Sequence, residues 1–310
     1  MDYASYFIKN KALFGSFPTQ TTVKELESEG VRYFINLTND HEKKITPYTT
    51  KFTQISFPIS DCKVPDNIPK FITFIFNLED IILHKLKNKE LIYLHCKGGH
   101  GRSGVVVAVL LCHMFGLSPT QSLEYTTKYH ARRPTMREKW RKIGSPQTYQ
   151  QKNFVYNLCK EIHFYRAYKN GFTAGFSNSS PHTVHIPNIG TFPTSEAAIQ
   201  AFKYIDDKEY VEKQLNAESP YISKVLGNKI NLNCDWEKVA PKILAKILQL
   251  KFSQHPYIKQ CLINTGLSRI TFHSKHDDFW GVNEHGKGQN ILGKQLYELR
   301  NFYHKQSNET

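Results

Sequence analysis

Residues 91–112 read LIYLHCKGGHGRSGVVVAVLLC, and their order decides the fold. A run of strand-forming apolar residues leads into Cys96, three glycines follow at 98, 99 and 101, and a second apolar run starts at once. A packed core needs no cysteine, histidine and arginine between two apolar stretches. A buried strand that ends in a glycine-rich loop just ahead of a helix aims several backbone N–H groups, and the helix N-terminus, at one point. An anion of phosphate size fits that point, and Arg102 can grip it with two parallel donors. The same positive field holds Cys96 as a thiolate near neutral pH. A thiolate facing a bound phosphate is a nucleophile poised for phosphoryl transfer.

Outward from this loop the pattern is strand and helix in alternation. VRYFINL (31–37) and FTQISFPI (52–59) are β-branched and aromatic enough to be strands. TQTTVKELESEG (19–30) reads as a helix with a Thr cap and a closing Gly30, and residues 68–89 carry apolar residues at helical spacing. SPTQSLEYTTKYHARRP (118–134) and the stretch from Ser145 to Lys169 read as two further helices, each opened by Ser-Pro. Together they predict an α/β domain with a mostly parallel sheet flanked by helices. Glycine and serine then cluster, and helical periodicity stops near Asn170. The boundary is expected between about 160 and 172, giving domains 1–165 and 166–310 with a helix bridging them.

The chain has 310 residues and a formal charge of +14, with 40% hydrophobic residues, which describes globular material. The charge is uneven. Residues 1–160 hold 23 Lys and Arg against 13 Asp and Glu, a balance of +10 that favours anionic partners. Seven basic residues between Lys128 and Lys142 (Lys128, Arg132, Arg133, Arg137, Lys139, Arg141, Lys142) oppose the single acid Glu138. They suit phosphoprotein, RNA 5′ ends or inositol phosphates, and equally an ordinary solvated helix face. Six cysteines show no CxxC or metal-ligand spacing, so free thiols in a reducing intracellular, cytoplasmic compartment are expected, with no metal and no cofactor. No apolar run is long enough to predict a membrane span, and no signal peptide is read at the start.

Phosphoryl transfer of this kind needs an acid for the leaving oxygen. FPISDCKVPD (57–66) offers Asp61 and Asp66, and composition does not choose between them. HCKGGHGRSG (95–104) resembles the signature of the cysteine-dependent protein tyrosine and dual-specificity phosphatases, and the double glycine is most similar to the kinase-associated branch. The resemblance runs over residues 11–160. It implies Cys96 as nucleophile, Arg102 as phosphate clamp, Asp61 as general acid, Ser103 as stabiliser of the departing thiolate and His95 as support for the thiolate. Lys97, Gly98, Gly99, His100 and Gly101 complete the phosphate loop. SPQTYQQKNFV (145–155) resembles the late segment whose glutamine positions water, with Gln147, Gln150 and Gln151 as candidates and Gln150 preferred. Cys62, beside Asp61, is a candidate to shield Cys96 as a disulfide under oxidation.

The second half holds FPTSEAAIQAFKY (192–204), where Glu196 and Lys203 lie two turns apart on one helix face. It also holds DDFWGVNEHGKGQNILGKQLYELR (277–300), rich in acids, glycines and a tryptophan that suits stacking on a flat ring. With GFSNSSPHTV (175–184 from its Gly175), SPYISKVLGNKINLNCDWEKV (219–239) and LKFSQHP (250–256), these stretches resemble the NADAR, YbiA-like superfamily in order. The resemblance implies a mostly α-helical domain that hydrolyses N-glycosidic bonds of nucleotide-like ribosides, ADP-ribose derivatives or riboflavin-pathway intermediates among them. Glu196 and Asp277 are then the acid/base pair, and Asn178, Lys203, Trp236, Trp280 and Asn290 bind or orient the riboside. Asn283 stands where the family has glycine and His285 where it has aspartate. The resulting expectation is a two-headed enzyme, with a non-catalytic ADP-ribose-binding module as the alternative for its second half.

Overall fold

The computed structural model describes residues 3–40, 42–165, 171–230, 235–275 and 277–306. The chain divides into two compact units, Met1–Lys160 and Glu161–Thr310.

In the first unit, β1 (Ala4–Ile8), β2 (Ala12–Gly15), β3 (Val31–Asn36), β4 (Thr53–Ser56) and β5 (Leu91–His95) form one sheet in the order β1-β2-β5-β3-β4. Only β1 runs antiparallel, pairing with β2. β5 is the central strand and every one of its residues is buried. Helices cover both its faces, so it reads as a continuous apolar run instead of an alternating one. The helices are α1 (Gln20–Ser28), α2 (Ile68–Asp80), α3 (Arg102–Phe115), α4 (Pro119–Ala131), α5 (Glu138–Ile143) and α6 (Tyr149–Cys159). α3 follows β5 through the glycine loop and is buried without interruption from Arg102 to Cys112. Each fully buried Val or Leu there contributes roughly 1.5–3 kcal/mol, which anchors the loop between two immobile elements.

The local signals act as read at several points. Thr19 caps α1 by accepting the N–H of Thr22, and Ser118 and Gln121 form a reciprocal capping box on α4. Other expectations are corrected. Ser145-Pro146 does not open a helix: its peptide bond is cis, and α6 starts at Tyr149 with Thr148 and Gln151 as its capping box. No helix bridges the two units from α6, because it ends at Cys159 and Ile162–Phe164 is a strand. Residues 166–170, at the expected boundary, lie outside the described residues, as does Cys234.

The second unit is helix-rich: α7 (Ser195–Ala201), α8 (Lys208–Leu215), α9 (Pro220–Asn228), α10 (Trp236–Gln254), α11 (Pro256–Ile263) and α12 (Ile291–Gln306). Two small sheets complete it. β6 (Ile162–Phe164) pairs with β9 (Ile270–Phe272), and β7 (Val184–Ile186) forms a hairpin with β8 (Gly190–Phe192). Phe164, Phe176, Phe192, Leu244, Leu248 and Phe252 sit in its core. α7 tightens into a 3₁₀ turn at Phe202–Tyr204, so Glu196 and Lys203 are not two turns along one continuous α-helix. Among the described residues, no helix is long and apolar enough to cross a membrane.

Candidate functional sites

β5 delivers Cys96 at its C-terminal end, buried, with Sγ 3.5 Å from Ser103 Oγ in the first turn of α3. No side chain caps α3 at Gly101, so the first N–H groups of the helix are available to an anion. Gly99 has φ +70°, and a Cβ there would lie 2.4 Å from the Gly15 carbonyl carbon, so the loop requires glycine at this position.

Arg102 is 1% exposed. Its guanidinium is gripped by both carboxylate oxygens of Glu42, donates to the Ile59 carbonyl at 2.9 Å, and pairs with Asp61 at 3.0 Å. Burial disfavours its charge, but Glu42, Cys96 and Asp61 outweigh that and push its pKa up. Burial likewise works against the Glu42 carboxylate, yet Arg102 and the Asn39 N–H hold its pKa below the usual range. Glu42 had no signal in the sequence, because its partner lies 60 residues away. Asp61 is thus brought to the loop, while Asp66 is exposed.

His95 is wholly buried, shares a 2.7 Å hydrogen bond with Tyr48 and is boxed by Phe17 and Tyr93. Burial pushes its pKa down to about 3, so it is neutral. It supports the loop by packing and hydrogen bonding, not by charge. Lys97 is half-buried and its carbonyl accepts the Phe17 N–H at 3.0 Å. His100 lies beside Gly98, shares a 2.8 Å hydrogen bond with His130 and stacks on Trp140.

The glutamine assignment changes. Gln150 is exposed, whereas Gln147 and Gln151 both lie against Gly101. Gln151 spends both ends of its amide, on the Thr148 N–H and the Lys63 carbonyl. Gln147 gives its N–H to Cys62 Sγ at 3.1 Å. Cys62 is an exposed free thiol.

In the second unit a small, partly open cleft of about 70 Å³ is lined by residues that include Asn178, Glu196, Tyr221, Lys224, Asp277 and Trp280. Glu196 receives the Gln200 amide at 2.8 Å. Burial, opposed by Gln200 and Lys224 and reinforced by Asp277, holds its pKa above the usual carboxylate range. Asp277 accepts the Trp280 N–H at 3.0 Å and pairs with Lys224 at 3.3 Å. Asn178 is buried with its amide oxygen unpartnered, and its carbonyl accepts the Glu196 N–H. Lys224 and Tyr221, on α9, were not anticipated.

Three of the expected riboside contacts do not line the cleft itself, although Lys203 lies close enough to Glu196 for their charges to interact. Lys203 donates to the Gly227 carbonyl at 3.2 Å and sits over Trp236, and neither residue lines the cleft. Asn290 uses its whole amide to staple β9, accepting from Phe272 and donating to Ile270. The two departures from the family pattern are also outside the cleft. Asn283 closes a turn by accepting the N–H groups of His285 and Lys287.

Comparison with known proteins agrees with this division. Residues 2–155 match the Swiss Army Knife protein DSP-PTPase phosphatase domain, and residues 163–303 match the NADAR domain. The putative tyrosine phosphatase 197R of Invertebrate iridescent virus 6 is 33% identical over 296 residues, 95% of this chain and 89% of that protein. N-glycosidase YbiA of Escherichia coli (strain K12) is 35% identical over 127 residues, 40% of this chain and 78% of the relative. Among solved structures, YbiA aligns with TM-score 0.45 at 31% identity, covering 49% of this chain and 89% of that one. Tk-PTP in its active form aligns with TM-score 0.40 at 21% identity, covering 49% and 93%. The chain belongs to the family of proteins that join a DSP-PTPase phosphatase domain to a NADAR domain.

Proposed function

We propose that the first unit hydrolyses phosphomonoesters through a cysteinyl-phosphate intermediate. The observation that carries this reading is the convergence of Cys96, Ser103, the uncapped start of α3 and a buried Arg102 held by Glu42. A substrate phosphate enters the loop and takes Asp61's place on the Arg102 guanidinium. The Cys96 thiolate attacks phosphorus as the ester P–O bond breaks, and protonated Asp61 gives its proton to the leaving oxygen. Water, oriented by the Gln147 amide oxygen, then attacks the phosphocysteine while the Asp61 carboxylate takes its proton. Ser103 Oγ donates to the departing thiolate. The test is hydrolysis of 4-nitrophenyl phosphate by wild type, Cys96→Ser and Asp61→Ala in the presence of chelator. Loss of activity in the first variant, with a fall of about 10²-fold or more in the second, is expected for a nucleophile and a general acid. An active Cys96→Ser enzyme would refute the mechanism.

For the second unit the reading is hydrolysis of an N-glycosidic bond in a nucleotide-like riboside. Glu196, whose burial favours the protonated form, gives a proton to the leaving base, and Asp277 takes one from the water that adds to the anomeric carbon. Lys224 sits between the two carboxylates' charges and balances Asp277. Base release from ADP-ribose and ribosylamine probes, followed by chromatography in wild type and Glu196→Gln, tests it. Binding without release in wild type would make this unit an ADP-ribose-binding module.

A further inference from the structure

Beside the phosphate loop lies a second opening, of about 400 Å³, bordered by Gly98 and His100 of the loop and by Arg133, Thr135, Arg137 and Trp140. It shares a wall with the phosphate site, so whatever enters it lies next to a phosphate held by the loop.

Its floor contains a guanidinium that is paired with no carboxylate among the described residues. Arg133 is 3% exposed, donates to the carbonyls of Gly99 at 2.8 Å and Phe14 at 3.0 Å, and stacks over the Phe14 ring. Its Nε is buried without a partner. Among the described residues no carboxylate pairs with it, unlike Arg102, which has two. Cys96 lies near enough to favour its charge, and an anionic ligand in the opening would add a second partner for this buried guanidinium. Burial lowers its pKa only to about 10, so the charge persists at neutral pH.

The rim adds donors and no acid. Arg137 is exposed and in no ion pair among the described residues, and none of the residues bordering the opening is Asp or Glu. His100 and His130 share one hydrogen bond, and burial pushes both below their ordinary range, to about 4 and about 3, so both rings are neutral. His130 Nδ1 is buried without a partner. A buried lone pair is tolerated better than a buried orphan N–H. His130 therefore carries its proton on Nε2 and donates to His100, which leaves His100 with an Nε2–H on the side of Gly98, another residue of the opening. Stacking on Trp140, with ring centroids 4.4 Å apart, fixes that ring in place.

We propose that this opening is a second anion subsite, and that the preferred substrate of the first unit carries a second phosphate-sized anion in the same molecule as the ester being cleaved. The proposal rests on the phosphatase reading and narrows its substrate class. The opening is larger than a single phosphate requires, which leaves room for the atoms that link the two groups. A bisphosphorylated nucleotide and a doubly phosphorylated peptide present the same chemistry, and the experiment separates them.

The full chain is assayed for kcat/KM on adenosine 3′,5′-bisphosphate against the two adenosine monophosphates, and on a doubly against a singly phosphorylated tyrosine peptide. 4-Nitrophenyl phosphate is run in parallel. At least one pair should favour the doubly charged member by about tenfold, the scale of one charge-assisted hydrogen-bond set. Arg137→Ala, an exposed substitution, should bring that ratio close to one, and Arg137→Lys should restore part of it. The pair that shows the preference identifies the source of the second anion. Turnover of 4-nitrophenyl phosphate with no preference in either pair, or a preference unchanged in Arg137→Ala, overturns the subsite alone. Failure to turn over any of the phosphates overturns the phosphatase reading and the subsite with it.

Discussion

Replacing Lys251 with Met should change how the stability of residues 161–310 depends on pH. α10 carries Lys251 into the core with no solvent exposure. Its Nζ donates to the Ser177 carbonyl at 2.8 Å and to Ser180 Oγ at 2.6 Å. Those two acceptors match the two N–H bonds of a neutral amine. Burial accordingly pushes its pKa down to about 7 from 10.5. In the unfolded chain the amine regains its ordinary affinity for a proton. Between about pH 7 and the ordinary lysine range the unfolded state therefore binds a proton that the folded state has released, and stability rises with pH. Below about pH 7 the amine is charged in both states, and the cost of holding it buried is felt in full.

The slope is about 1.4 kcal/mol per pH unit, so the wild type should gain roughly 2 kcal/mol on Lys251→Met between pH 7 and 8.5. Urea unfolding followed by tryptophan fluorescence measures it. Of the three tryptophans, Trp236 and Trp280 report on this unit, and Trp140→Phe removes the signal of the other. His182 also faces the amine and is pushed down to about 4 by burial, Lys251 and His255. It titrates below the chosen window and does not disturb the comparison. Wild-type and variant curves that stay parallel in pH would refute the reasoning, because they would mean that the buried amine keeps its proton. The consequence reaches the cleft, since Lys251 ties down Ser177, next to the cleft residue Asn178.

Two further outcomes follow from the phosphate loop. Glu42→Gln removes the charge that holds both Arg102 nitrogens, and kcat/KM for 4-nitrophenyl phosphate should fall by about 10²-fold, the effect of a misplaced clamp; an unchanged value would show that Asp61 and the backbone position Arg102 unaided. Gln147→Ala should slow hydrolysis of the phosphoenzyme and give a burst of 4-nitrophenol ahead of a reduced steady rate, while exposed Gln150→Ala should not; rapid-mixing kinetics on both variants decides between the two glutamines.

The legible parts of this molecule are those fixed by neighbours in sequence. The run from β5 through the glycine loop to α3 declares itself because strand, turn and helix are consecutive, and the candidate site of the first unit is mostly made there. Asp61 was one of two local candidates, and the motif selected the one that meets Arg102. Glu42 and Lys224 were invisible for the opposite reason. Each reaches its partner across more than 50 residues, at 60 for Arg102 and 53 for Asp277, and a solitary acid or lysine carries no periodicity to betray it. The remaining differences lie near helix ends. Ser145-Pro146 reads as the start of α6, although Thr148 and Gln151 already stand at capping-box spacing, and Gln150, preferred on the resemblance alone, lies exposed. In α7, Glu196 and Lys203 share a face only while the turn stays at 3.6 residues, and past the tightening at Phe202 the lysine donates to the Gly227 carbonyl while staying within electrostatic reach of Glu196. A helix therefore transmits a sequence pattern into a site only as far as its caps and its pitch are known, and the side chains most exposed to that uncertainty are those one turn from an end.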